Sequence, residues 1–489
     1  RDLQWLPRKI SRYVADDIVQ DFWNIMHRIA PASGIGNYFR SPILTAFILT
    51  LVVVLPISGV WAEERKAENE EARELRQLVE RLKQRVEVLE RQQSQQQGSS
   101  QNTRNPAISN TSSKESKAPI NPFSSKKALP EPAKGKIKFS FGGQIVVEAV
   151  SNWPSNSTSS EFDLLPTGVP TGSGGENGQF LFSARETRLW FKSSAMTRYG
   201  IFKTLLEMDF KGSSGTERVN NSNNPRMRHG YAQLGSFTMG QTESTFANLL
   251  AWPDTIPDAI AYISNRQAQI RWSQKLDEDF SLQVSLENPE TTLTDATGAR
   301  ITPADDRAPD MVMKGLWYGD RGSLALSGLL REIRSDGAVV GGVEDSEVGG
   351  ALYISGKLKT SGSDNIRFGL AGGNALGRYA SNNSFNDGSI DANGQIELHM
   401  LYLGILSYQY WLNDHWRIAT TATHIQADND LSRVPASTVE QAQSFHLRVS
   451  WLPLLRTNFS LEYVHARSKL ESGVEGELNH LHFSALYRF

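Results

Sequence analysis

Arg226 and Arg228 stand two apart in Pro225-Arg-Met-Arg-His229, and Glu207 and Asp209 stand two apart in Leu206-Glu-Met-Asp-Phe210. On a β-strand that spacing puts both members on one face, so each pair presents two like charges together. Arg188, Lys203, Arg271 and Arg367, with Arg331, Arg417 and Arg448, likewise fall on the polar side of segments whose other side is apolar. Grouped fixed charges of both signs attract and orient charged solutes electrostatically. Bond-making chemistry is poorly represented. His229, His399, His424, His446, His465, His480 and His482 are scattered, and no Ser/His/Asp order or metal-ligand spacing can be assembled from them. His480 and His482 share a face and form either half of a metal site or a solvated pair, with no third ligand placed beside them. The absence of Cys removes thiol chemistry, Cys metal sites and disulfides, and no cofactor is expected.

One segment supplies acids of a different kind. Gln241 to Ile260 carries Glu243, Asp254 and Asp258 among Phe246, Leu249, Leu250, Trp252 and Ile256, with Pro253 and Pro257 stiffening the backbone. Those apolar side chains are poorly suited to solvent, so a loop folded inward against a wall, narrowing whatever it enters, is expected.

The elements that position these residues read as strands. The final one sends Leu481, Phe483, Ala485, Tyr487 and Phe489 one way and His480, His482, Ser484 and Arg488 the other. An early one opposes Ile137, Phe139, Phe141, Ile145 and Val147 to Lys138, Ser140, Gln144 and Glu148. An apolar outer face, a polar inner face and no free edge are what a membrane-spanning strand requires, since hydrocarbon satisfies no backbone N–H or C=O. Only 39% of residues are hydrophobic, as expected when apolar residues form an outer band alone. Short turns near 195–200, 235–236, 276–279, 319–322, 359–365, 412–415 and 453–456 alternate with long polar loops near 151–179, 213–225, 242–264, 289–308, 335–346, 375–394, 428–441 and 469–477. Seven turns and eight loops predict an all-β, sixteen-stranded antiparallel transmembrane barrel over 135–489, with both ends on the short-turn side. Trp317, Tyr318, Tyr408, Tyr410, Trp411, Trp416, Trp451 and Tyr463 are expected in its interfacial girdles.

Ahead of the strands, the apolar run 42–55 follows Arg40 and precedes Val60-Trp-Ala62, the pattern of a secretory signal peptide cleaved after Ala62, so 1–62 is read as an N-terminal extension and signal. An inner-membrane anchor is the alternative. Ala72, Leu75, Val79, Leu82, Val86 and Leu89 form a heptad seam, which predicts a short periplasmic α-helical coiled coil over 63–92; a solvated single helix is the alternative. The Gln/Ser/Asn/Pro-rich stretch 93–134 reads as a disordered linker. A net charge of -2 argues against nucleic acid as a partner.

Pro225-Arg-Met-Arg-His-Gly-Tyr-Ala-Gln-Leu-Gly235, then Met239-Gly-Gln-Thr-Glu-Ser-Thr-Phe246 and the Pro-Asp-rich loop, resemble the DcaP-type outer-membrane porins, as does the layout of signal, coiled coil, linker and barrel. The resemblance covers about 63–489 and matches Arg226 and Arg228 to that family's strand-four arginines and Arg188 to its strand-two arginine. It implies a homotrimer in outer-membrane lipid, a pore constricted by the third loop, and passage of small anionic solutes such as dicarboxylates. The residues themselves leave a second function open: a structural or adhesion barrel tethered to peptidoglycan through the coiled coil. Conductance separates the two.

Overall fold

The computed structural model describes residues 137–489, apart from 157–162, 173–176, 213–219, 222, 304–305 and 336–342. The expected signal peptide, coiled coil and linker lie outside the described residues. Among the described residues no helix is long and apolar enough to cross a membrane; the chain crosses with strands.

Sixteen antiparallel strands close into a barrel. They are β1 (Lys138–Trp153), β2 (Gln179–Ser183 continued as Arg188–Thr197), β3 (Gly200–Asp209), β4 (Arg226–Leu234), β5 (Phe237–Glu243), β6 (Arg266–Lys275), β7 (Phe280–Glu287), β8 (Asp310–Gly319), β9 (Gly322–Ser335), β10 (Asp345–Lys359), β11 (Asn365–Gly373), β12 (Met400–Trp411), β13 (Trp416–Asp428), β14 (Val439–Trp451), β15 (Thr457–Leu470) and β16 (Glu475–Arg488). Each pairs with its sequence neighbours, and β16 returns to β1 from Gln144 opposite Arg488 to Trp153 opposite Asn479, so no edge is left to meet lipid. The closure includes the terminal residue. Gly143 and Phe489 exchange backbone hydrogen bonds of 3.3 and 3.1 Å, and the Phe489 ring occupies the space that a Cβ on Gly143 would need.

The strand count, the turns and the alternation agree with the sequence. Phe139, Phe141, Ile145, Met311, Met313, Leu352 and Leu406 are exposed on the outer face, while Gln144, Glu148, Ser327 and Ser407 are buried inside. Trp317, Tyr408, Tyr410 and Trp416 stand on the outer face. Tyr318 and Trp411 do not join the girdles: they pair across strands with inward-facing Ser323 and Arg417, and the Arg417 guanidinium lies 5.3 Å from the Trp411 ring centre.

One half of the lumen departs from the polar-inside rule. Val312, Leu329, Leu401, Leu403, Ile425 and Val464 point inward and are buried, because Phe246 and Ile260 of the third loop and Leu376 and Tyr379 of the sixth fill that half. The two loops are joined by Ser264 N to Tyr379 O at 3.2 Å and Ser381 N to Tyr262 O at 3.0 Å. A small four-stranded sheet, Leu293–Thr294, Arg300–Ile301, Gly388–Ile390 and Ile396–Leu398, links the fourth and sixth loops over a core of Leu293, Ile333, Ile390 and Ile396. Fully buried Arg331 ties this assembly together, at 3.1 Å from Asp310 and 2.6 Å from Asp387. That is a structural role, one that inward parity alone did not disclose.

Candidate functional site

The open half of the lumen holds a cavity of about 610 Å³ between the third loop and the walls of β1, β2, β4 and β14–β16. Seven cationic side chains reach it, Arg188, Lys211, Arg226, Arg228, Arg266, Arg378 and Arg448, against the carboxylates Glu148, Asp163, Glu186 and Asp258.

Period-two geometry places Glu207 and Asp209 on β3 beside Arg226 and Arg228 on β4. Arg226 grips Asp209 with two bonds of 3.0 and 2.7 Å, and Arg228 spans Glu207 at 3.0 Å and Asp209 at 2.9 Å. The acids and bases therefore share one wall instead of facing each other across the pore. Asp209 is fully buried, whereas the Arg226 side chain keeps 40% exposure, so the cation is the member that lines the cavity. The break in β2 at 184–187 turns Glu186 inward, where it accepts from Arg188 at 2.8 Å and faces Lys211 Nζ at 3.1 Å. Lys211 also meets Asp163 at 2.6 Å. Lys203 stands exposed near the short-turn end of β3, without an ion pair among the described residues.

The third loop, 244–265, enters the barrel and is held at both flanks. At its root, Arg271 donates to Thr245 Oγ1 at 2.7 Å and to the Glu243 carbonyl, and Glu287 accepts from Thr245 N at 2.8 Å. Glu243 is the last residue of β5 and not a loop acid; Arg266 at 2.6 Å and Ser264 at 3.2 Å bind its carboxylate. On the filled side, Lys314 Nζ donates to Ala247 O at 2.8 Å and Asn248 donates to Ser355 at 3.0 Å. Arg367 donates to Trp252 O at 2.6 Å, and the Trp252 ring stacks on Tyr262. Farther along, Asp254 accepts from Arg417, Arg448 and Gln409, and Ile256 N donates to Glu462 at 2.5 Å. Burial alone would raise the Asp254 carboxyl, but the Arg448 and Arg417 charges hold it below the usual carboxylate range. Leu249 and Leu250 remain exposed, contrary to expectation, because their 3-10 turn buries its Ala251 side.

His480 and His482 are buried, not solvated. His480 Nδ1 meets Asn152 Oδ1 at 2.7 Å, its Nε2 meets His482 Nδ1 at 3.2 Å, and His482 Nε2 lies 3.3 Å from Glu148. No group of three His, Asp or Glu among the described residues could hold a metal. His446 Nδ1 lies 2.7 Å from Glu462 Oε1, whose other oxygen accepts from the third loop.

Sequence parity located Arg188, Arg226, Arg228, Arg271, Arg367, Glu207 and Asp209 on the inner wall. It did not single out Asp163, Glu186, Lys211 or Arg266, which lie in loops, in a strand break or at a strand end where no alternation operates.

A closed sixteen-stranded barrel with an apolar outer band and a charged, loop-lined lumen defines an outer-membrane channel. The chain belongs to the DcaP outer membrane protein family, whose model matches residues 59–489. Its fold is similar to the crystal structure of the outer membrane channel DcaP of Acinetobacter baumannii, with a TM-score of 0.63 at 21% identity over 72% of this chain and 97% of that one. The anion-selective porin from Comamonas acidovorans gives a TM-score of 0.47 at 10% identity, over 72% of this chain and 100% of that one. OmpT of Vibrio cholerae in its trimer form gives 0.43 at 9%, over 72% and 99%. No curated protein matches the sequence significantly.

Proposed function

We propose that this channel is a diffusion porin, not an enzyme, that passes small hydrophilic anions such as dicarboxylates through a pore narrowed by the third loop. The observation that carries the reading is that cations reach the cavity surface while their counter-ions stand behind them: Arg226 lines the cavity with 40% of its side chain exposed, and the Asp209 that it grips is fully buried. Positive charge held nearer the passage than its counter-ions raises the local anion concentration and lowers the anion barrier. Anchoring of the third loop at Arg271, Arg367 and the Asp254 cluster supports a fixed constriction over a moving lid. The same reading takes the protein as a homotrimer, with residues 63–92 as a periplasmic coiled coil and 93–134 as its linker. The family match beginning at residue 59, just ahead of the expected mature start, supports that layout.

Reversal potential in a planar bilayer under a KCl gradient tests the proposal. A potential on the chloride side is expected. A cation-selective or non-conducting preparation overturns it, and the latter would favour the structural barrel.

A further inference from the structure

Three separate loops and a strand break bring charge to one corner of the cavity. Asp163 comes from the first loop, Lys211 from the segment after β3, Asp258 from the third loop and Glu186 from the break in β2. Lys211 is already committed, at 2.6 Å to Asp163 and 3.1 Å to Glu186. Arg266, the other nearby cation, is committed to Glu243 at 2.6 Å. Asp258 therefore faces the cavity with no ion-pair partner among the described residues, while Asp254, four positions earlier, has two arginines.

We propose that Asp258 is a protonatable selectivity determinant of the pore. Ionised, it offsets one of the lining cations; protonated, it leaves the cavity more positive and the current more anionic. The inference rests on the anion-preferring reading above. Burial, followed by the Asp163 charge, holds the Asp258 carboxyl above the usual range against the pull of Lys211. Glu186 pushes in the same direction and Arg266 in the opposite one. Tyr262, the remaining titratable neighbour, is buried and pushed well above its ordinary value, so it stays neutral throughout. A carboxyl crowded by two other carboxylates and removed from water takes up its proton before the exposed acids do. Asp254 behaves oppositely, so the two acids of the same loop divide the work: Asp254 stays ionised and holds the loop, and Asp258 sets the charge of the passage. His482 also lines the cavity, so its substitution serves as the control.

The test measures the chloride-to-potassium permeability ratio of the full protein in KCl across a pH series. As pH falls from neutral into the acid range, the wild-type ratio should rise about two- to five-fold for the loss of one fixed negative charge, ahead of the titration of the exposed carboxylates. Asp258→Asn should hold the acid-side ratio at every pH, whereas Asp258→Glu and His482→Gln should keep the rise. A flat wild-type curve overturns the proposal, as does an Asp258→Asn curve that still rises or a His482→Gln curve that does not. Should Asp258→Asn fail to form channels, Asp258→Ser takes its place with the same expectation and the same overturning result. A wild-type ratio below one at neutral pH would instead sink the anion-preferring reading, and a pH-dependent rise could be seen from that baseline too.

Discussion

Asp254 of the third loop and Arg448 of β14 meet at 3.0 Å across a sequence separation of 194 residues, and Arg417 of β13 binds the same carboxylate at 2.7 Å. One loop acid thus bridges two wall arginines, offsetting one of their two charges, and fixes the loop against the wall from which both arise. Asp254→Asn should release the loop and expose both cations together. Larger single-channel conductance with stronger anion selectivity is expected; a smaller, unchanged or cation-shifted channel would show that the clamp does not set the pore.

Acid should not undo this clamp early. Asp254 has a folded value below its unfolded one, so its contribution is present above the unfolded value, about 3.9 for Asp, and is lost as pH falls through the folded value. Conductance noise from loop movement should stay constant down to pH about 4 and grow only below it. Noise that grows already between neutral pH and about 5 would contradict the assignment.

Arg226→Ala combined with Arg228→Ala strips both partners from fully buried Asp209. Leaving a buried charge uncompensated costs about 3–5 kcal/mol, so the heat-modified gel transition should move to lower temperature. Chains that still insert should show a reversal potential shifted toward cations, and uptake of a small dicarboxylate should slow more than that of a neutral sugar of similar size. Unchanged selectivity would mean that these arginines serve only their carboxylates.

Arg331→Ala provides the contrast. Its guanidinium is fully buried between Asp310 and Asp387, outside the cavity lining, so a comparable loss of about 3–5 kcal/mol is expected with ion selectivity unchanged in the surviving channels. A selectivity shift would show that the packed half of the lumen communicates with the pore.

Gly143→Val tests the closure of the barrel. A side chain there would press on the Phe489 ring and the Arg188 carbonyl, and overpacking of this kind costs about 1–3 kcal/mol. Slower folding into lipid vesicles, followed by the heat-modifiable band, is expected, whereas Gly404→Val, where the nearest neighbour is a flexible Leu370 methyl at 3.3 Å, should be milder. Equal behaviour of the two would remove the terminal Phe from the closure.

The sequence by itself determined the barrel. Strand number, the alternation of short turns with long loops, the outer apolar band and the inward parity of Arg188, Glu207, Asp209, Arg226 and Arg228 are local properties, set by a period of two and by what lipid tolerates. Only the tertiary structure decided what those side chains do. Whether an inward arginine lines the open cavity, as Arg226 does, or is consumed by structure, as Arg331 is, depends on partners 17 to 56 residues away. The filling of half the lumen by two loops turned Leu401, Leu403 and Ile425 inward against the polar-inside rule, because a packed loop buries apolar surface as well as lipid does. Asp163, Lys211 and Asp258 meet only because three loops converge on one cavity, and irregular backbone has no periodicity from which that convergence could be read.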